Sequence, residues 1–320
     1  MVKRALLPAA LLPALFLAGC SFFTASLFPG YLAQTDKAFD LGSEIDGFLT
    51  GLGSADYRWY SQPFVLTTGA GADYGGVLIE IDSLPNKLMV LVDPAGGMHS
   101  FSDPGFNRRH LTDNSGNFVV GKVSIDPSTM SVVASSIDDN DFPGISFNSR
   151  NYLFWTESMY PNQVKYAYAT GWPVGTETIV DLGDYGFELR GLFIDPLASG
   201  REVILVLFNY NYNQVYVIFT PSTGWAGGGS LATPLATNAA SPRLTFSDTD
   251  AGNVIYTRKG IVLADYDGLA VLKDFQGNDT GKSLDLGRSG EARVAFDVEG
   301  DTFYVFKPED QMLYRGNTGW

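Results

Sequence analysis

Cysteine is almost absent: Cys20 stands alone in 320 residues. That excludes a disulfide-stapled scaffold and a zinc site built on clustered thiolates, because both need several cysteines. A chain of this length can bury a core large enough to be stable without them. Histidine is nearly as scarce, with two, and neither stands in an H-E-x-x-H spacing. Basic residues are in deficit, 21 Lys+Arg against 35 Asp+Glu. So acidic a surface repels phosphate backbones, and no nucleic-acid partner is expected. The G-x-S-x-G elbow, the Walker loop and the dinucleotide fingerprint are all missing from the sequence.

What is present begins at the N-terminus. Lys3 and Arg4 open the chain, Ala5 to Leu17 is almost wholly apolar, and Leu17-Ala18-Gly19-Cys20 follows. A charged start, a short apolar run and a small-residue cleavage site define a secretory signal. The run is too short to span a bilayer comfortably, and Pro8 and Pro13 interrupt it. The four residues ending at Cys20 resemble the lipobox of bacterial lipoproteins. That resemblance implies cleavage before Cys20 and a diacylglyceryl group on its thiol, so residues 1–19 are expected to be removed. It also implies an envelope location, and Ser21 in place of Asp favours the outer membrane over the inner. Without Lys3 and Arg4, 19 basic residues face 35 acidic ones, a net charge of −16. A surface that repels anionic headgroups gains most from a lipid tether. Residues 20–56 are expected to form a lipidated linker, with helical spacing at Phe39, Ile45, Phe48 and Leu49.

Residues 57–320 have β composition. Val, Ile, Tyr, Phe and Thr are plentiful, and short apolar runs stand between Gly, Asp, Asn and Pro clusters. A marker recurs: Thr170-Gly171-Trp172, Thr223-Gly224-Trp225 and Thr318-Gly319-Trp320, each after an alternating strand. Trp172 and Trp225 are 53 residues apart, and Trp225 and Trp320 are 95 apart, close to two such steps. A degenerate copy is therefore expected at Asp267-Gly268-Leu269, with Ala270-Val271-Leu272 as the strand after it. A second marker, an apolar strand ending in Asp or a substitute, falls at Asp82, Asn148, Asp195, Ser247-Asp248 and Asp297.

Such periods mark propeller blades, four-stranded sheets that cover one another's faces. The expected fold is an all-β propeller of five or six four-stranded blades; an irregular β-sandwich or a β-solenoid is the competing architecture. The stretch Arg243 to Leu272 loosely resembles the TolB-type propeller repeat. It has a Phe-Ser-Asp turn, a short strand, then an apolar strand running into Asp-x-Asp-Gly. Phe118 to Ile125 and Met130 to Val133 form an extra strand pair, an irregular blade or part of an additional one. The last unit ends at Trp320 after its third strand. An N-terminal strand is therefore expected to pair with the C-terminal blade, since an open edge leaves backbone groups unpaired. Tyr57 to Tyr60 with Phe64 to Leu66 is the aromatic candidate.

Chemistry-bearing residues are few. His99 and His110 lie near Asp103 and Asp113. Asp138, Asp139 and Asp141 crowd one loop. Asp248 and Asp250 precede Gly252, and Asp265 and Asp267 precede Gly268. These last four are the candidate metal ligands, and calcium is the cation such oxygen donors suit. Neither loop completes the EF-hand pattern, and Asp belongs in β-turns for backbone reasons alone. Asn209-Tyr210-Asn211-Tyr212-Asn213 reads as a hairpin turn whose tyrosines cover a neighbouring blade, or as an adaptable contact loop. No other cofactor is expected. The leading expectation is a membrane-tethered, non-enzymatic binding or scaffolding module that engages envelope proteins. A cation-dependent envelope hydrolase or lyase, with both histidines and acidic loops at the channel mouth, is the alternative.

Overall fold

The computed structural model describes residues 35–49, 58–81, 84–106, 110–112, 116–133, 146–148, 152–156, 163–168, 177–181, 187–195, 203–209, 212–220, 229–230, 243–247, 253–265, 268–286 and 293–320. These residues are mostly β-strand, with one helix, α1 (Gly42–Phe48). The strands form six sheets, almost entirely antiparallel.

Following the chain, β1 (Thr35–Asp40) precedes α1. The next sheet holds β2 (Arg58–Tyr60), β3 (Phe64–Thr67), β4 (Asp73–Ile81), β5 (Lys87–Val92) and β6 (Met98–Asp103). A third holds β7 (His110–Thr112), β8 (Phe118–Val120), β9 (Val123–Asp126) and β10 (Ser131–Val133). The fourth comprises β11 (Ser146–Asn148), β12 (Tyr152–Thr156), β13 (Gln163–Tyr168) and β14 (Glu177–Asp181), with β18 (Gly229–Ser230) parallel to β14. The fifth comprises β15 (Phe187–Ile194), β16 (Val203–Asn209), β17 (Gln214–Thr220) and β19 (Arg243–Ser247). The sixth runs β20 (Asn253–Thr257), β21 (Gly260–Ala264), β22 (Leu269–Lys273), β23 (Asp279–Asp285). Last come β24 (Arg293–Phe296), β25 (Thr302–Lys307) and β26 (Met312–Asn317), which complete a sheet with β1 in the order β1-β26-β25-β24.

The N-terminal strand thus pairs with the C-terminal sheet, but it is a different strand from the one expected. Thr35 lies opposite Gly316 and Asp40 opposite Met312. The expected stretch, described from Arg58 onward, instead supplies β2 and β3, which both pair with β4. Pro63, which has no N–H, lies in the break between them, and Ser61 bridges it. The Ser61 N–H donates to Leu78 O at 2.8 Å, and the Leu78 N–H donates to Ser61 Oγ at 2.9 Å. Residues 35–49, expected in the linker, therefore hold a sheet strand and the helix packed on it.

Two further expectations shift. Gly268 directly precedes the third strand of its sheet, β22, and Ala270 to Leu272 lies in that strand and not in a fourth. The count moves by one because Arg243 to Ser247, read as the strand that opens this unit, belongs to the sheet before it. Arg243 to Ser247 closes the fifth sheet by pairing with β17, and does not open a new unit. The extra strand pair belongs to a full four-stranded sheet, β7 to β10.

Side-chain direction explains why many strands are apolar throughout. Val77 and Ile79 pack with the C-terminal sheet, while Leu78 between them packs with the β7–β10 sheet. Likewise Val262 and Ala264 face the C-terminal sheet, and Ile261 and Leu263 face β16 and β17. Alternate residues point to opposite faces, and here each face is covered by another sheet. First strands also border first strands: β3 lies beside β7 and β24, β11 beside β7 and β15, and β20 beside β15 and β24.

α1 has no side-chain N-cap, but the Gly42 N–H donates to Asp40 Oδ1 at 2.8 Å. Buried Ile45, with Phe48 and Leu49, seats it on the core shared by the β4–β5 and β25–β26 sheets. The turns after β15, β20 and β24 meet at one end of the sheets, the hairpin face. There the Arg258 N–H donates to Val298 O at 2.8 Å. α1 and the turn between β25 and β26 lie at the opposite end of the C-terminal sheet, the helix face, where the Leu41 N–H donates to Gln311 O at 3.0 Å.

Candidate functional site

The densest polar chemistry among the described residues lies on the hairpin face. Asp195 follows β15 and is fully buried. Its carboxylate accepts from Tyr256 Oη at 3.0 Å and from both arms of the Arg258 fork, Nε at 2.9 Å and Nη2 at 3.0 Å. The hydrogen bonds to this carboxylate hold the Arg258 guanidinium above its usual pKa, against the opposing effect of burial. Arg258 also bonds Glu299 in the next sheet. Its neighbour Lys259 bonds Asp301 and donates to Trp320 O at 2.8 Å. Charges on three consecutive sheets therefore neutralise one another in a row.

A second cluster surrounds Tyr304 on β25. Its ring fits against Gly75, where an added Cβ would come within 2.3 Å of two ring carbons. The fully buried phenol oxygen makes no hydrogen bond among the described residues. Burial pushes its pKa up to about 12, with Arg315 opposing and Asp73, Asp297 and Asp36 adding to the rise. Asp297 is pushed up to about 6 by burial, and Asp73 adds to the rise. The N–H groups of Asp301 and Thr302 oppose it by donating to Asp297 Oδ1 at 2.8 and 3.1 Å. Asp73 is raised by burial, against its 2.6 Å bond from Thr67 Oγ1 and the charge of Arg315. Burial makes both carboxyls harder to ionise, and a phenol held at about 12 is not a nucleophile at neutral pH.

The sequence-selected residues do not converge. His99 on β6, an outer strand, has Nε2 3.1 Å from Asp93 Oδ2 across a hairpin. Burial works to raise the Asp93 carboxyl, but the His99 contact and the N–H groups of Gly97, Gly96 and Ala95 bring it below its usual value. His110 lies on the first strand of the next sheet, stacked on Phe64 with ring centroids 4.8 Å apart. Asp265 caps its turn by accepting the Leu269 N–H at 2.8 Å. Asp248, Asp250 and Asp267 lie outside the described residues, as do Asp113, Asp138, Asp139, Asp141 and Cys20. Among the described residues no three His, Cys, Asp or Glu side chains are grouped to hold a metal ion. Asn209 is buried at the end of β16, Asn213 has a φ of 50°, and Tyr212 is 70% exposed. That is a hairpin turn with Tyr212 largely exposed; Tyr210 and Asn211 lie outside the described residues.

Beside β19 a cavity of about 480 Å³ opens toward the sixth sheet, lined by residues that include Thr245, Phe246, Ser247, Lys273 and Gln276. Sequence reasoning missed it, and missed the partners of Asp195. Asp195 itself was marked as the end of an apolar strand, but Arg258 is 63 residues away and carries no motif. Tyr304 sits in a strand buried on both faces, which marks only a core position.

No protein-family model matches the chain, and no curated protein matches it. Solved structures with similar backbones include Hsv2 from Kluyvelomyces marxianus, at 13% identity over 78% of this chain and 70% of that one, with a TM-score of 0.35. An oligogalacturonate lyase in complex with manganese is 8% identical over 82% of this chain and 98% of its own, with a TM-score of 0.43. Likeness at this level transfers no function.

Proposed function

We propose that the chain is a lipid-anchored envelope protein whose body is a six-bladed β-propeller acting as a rigid binding or scaffolding ring. The tether rests on Leu17-Ala18-Gly19-Cys20 behind a charged, apolar leader. Lipid on Cys20 is its membrane contact, and Ser21 favours the outer membrane. The ring is supported by the bordering first strands and by β1, which completes the C-terminal sheet.

The observation that carries the scaffolding role is the row Asp195–Arg258–Glu299. These charges satisfy each other between sheets, so they lock blades together and leave the fork of Arg258 occupied. A ring stiffened in this way presents its loops to partner proteins at fixed spacing.

Two measurements test the proposal. Metabolic labelling with a clickable fatty acid should mark the wild type and not Cys20→Ser, which should leave the membrane fraction. A labelled Cys20→Ser chain, or an unlabelled wild type, sinks the tether. Crosslinking in intact envelopes should return the same partner protein in replicate pulldowns. Turnover of an envelope polymer that depends on an added divalent cation would replace scaffolding with catalysis.

A further inference from the structure

We propose that the hairpin face is apposed to the lipid surface, so that the helix face, with α1, points away from the membrane. This orientation rests on the tether at Cys20. It follows from the direction of β1. β24 and β26 run toward the hairpin face, so β1, antiparallel to β26, starts there: Thr35 lies opposite Gly316, and Asp40 opposite Met312. The turns after β26 and β20 meet at this same end, where Lys259 reaches Asp301 and Trp320. So does the turn after β5, because Lys37 Nζ lies 3.4 Å from the carbonyls of Pro94 and Ala95, and Arg315 Nη1 donates to Pro94 O at 3.0 Å. The lipid-bearing segment therefore enters the body at the hairpin face.

Its length and chemistry hold that face near the bilayer. Fourteen residues separate Cys20 from Thr35, a reach of at most about 50 Å. They include no Asp, Glu, Lys or Arg, but do include Phe22, Phe23, Leu27, Phe28, Tyr31 and Leu32. Aromatic and aliphatic side chains next to an acyl anchor partition into the membrane interface, which shortens the free tether. Turning the body over would take the chain along the whole edge of β1, about 20 Å, and pull those residues out of the interface.

The full, lipidated chain offers a direct test, because acylation consumes the native thiol. Gln276→Cys places a single free thiol on an exposed turn of the hairpin face, after β22. Glu309→Cys places one on the helix face. Each is labelled with a fluorophore in phosphatidylethanolamine–phosphatidylglycerol vesicles carrying a headgroup-attached quencher. Quenching should be several-fold stronger at position 276 than at 309. Equal or reversed quenching, in protein that floats with the vesicles and shows the acylated N-terminal mass, overturns the orientation alone. A chain without lipid at Cys20 fails to float, and overturns the tether and the orientation together.

Discussion

The buried carboxylate of Asp195 grips both arms of the Arg258 guanidinium, 63 residues away on the next sheet, at 2.9 and 3.0 Å. Asp195 is 0% exposed, so its charge depends on that fork and on the Tyr256 hydroxyl. Removing one partner of a buried pair strands the other, which typically costs about 3–5 kcal/mol. Arg258→Ala is therefore expected to lower stability by about that much. Arg258→Ala combined with Asp195→Asn should lose less than Arg258→Ala alone, because no buried charge remains. Urea unfolding followed by tryptophan fluorescence compares the three. A double variant as unstable as Arg258→Ala would show that packing of the arginine stem dominates.

Asp297 gives the fold a pH dependence of defined sign. Its folded pKa is raised from 3.8 to about 6, so the folded state holds the proton more tightly than the unfolded chain does. The resulting stabilisation is complete below about 3.8 and is lost as pH rises through about 6. Asp297→Asn keeps an oxygen for the Asp301 and Thr302 amides but cannot ionise. Relative to wild type, it should gain on the order of 2 kcal/mol between pH 4 and pH 7.5, because each tenfold difference in proton affinity between the folded and unfolded states is worth about 1.4 kcal/mol. Asp93 acts in the opposite sense at lower pH. Its lowered pKa contributes stability above the unfolded value and loses it as pH falls through the folded one. Thermal unfolding from pH 4 to 8 checks the difference; parallel profiles for the two proteins would contradict it.

How much of this was legible in the sequence depended on whether a signal was local. Of the T-G-W copies, Thr318 to Trp320 is described and serves its own sheet, while Thr170 to Trp172 and Thr223 to Trp225 lie outside the described residues. In the last sheet the Thr318 hydroxyl donates to Gly300 O at 2.7 Å, Gly319 takes a φ of 64°, and Trp320 stacks on Phe296 with centroids 5.5 Å apart. That an N-terminal strand completes the last sheet was legible too, and β1 does so. The identity of the strand that fills the gap was not. Thr35–Asp40 is short and polar, with only Thr35 and Phe39 buried, while Tyr57 to Leu66 has the aromatic residues expected of an internal strand. The Asp195–Arg258 pair and the Tyr304 cluster were illegible because their partners come from different sheets.

Tyr304 and Gly75 make a matched pair with opposite expected responses. A Cβ at Gly75 would lie 2.3 Å from the ring, so Gly75→Ala must push Tyr304 off its position and is expected to cost about 1–3 kcal/mol. Tyr304→Phe keeps the ring and removes a buried hydroxyl that has no partner among the described residues. Deleting an unsatisfied group is neutral or stabilising, by up to about 1 kcal/mol. Melting temperatures of the two variants separate the cases. A clear loss in Tyr304→Phe would mean that an ordered water holds the hydroxyl.

The placement of β1 makes the sharpest forecast about the N-terminal region. Phe39 is buried with Leu313, Tyr304 and Phe306, and Ile45 of α1 joins the same core. Deleting residues 21–34 leaves every described contact in place, so the body should fold with an unchanged melting temperature. Deleting residues 21–49 removes the fourth strand of the C-terminal sheet and exposes the hydrogen-bonding edge of β26. It also uncovers apolar area on β5 and β25, at about 25 cal/mol per Å². An unpaired edge beside exposed apolar surface is a template for association. The longer deletion is therefore expected to melt well below the shorter one and to elute as multimers in size-exclusion chromatography. Had Tyr57 to Leu66 been the strand paired with β26, removing residues 35–49 would have left that edge covered and the elution monomeric. A monomeric, stable product of the longer deletion would therefore overturn the pairing of Thr35–Asp40 with Met312–Asn317.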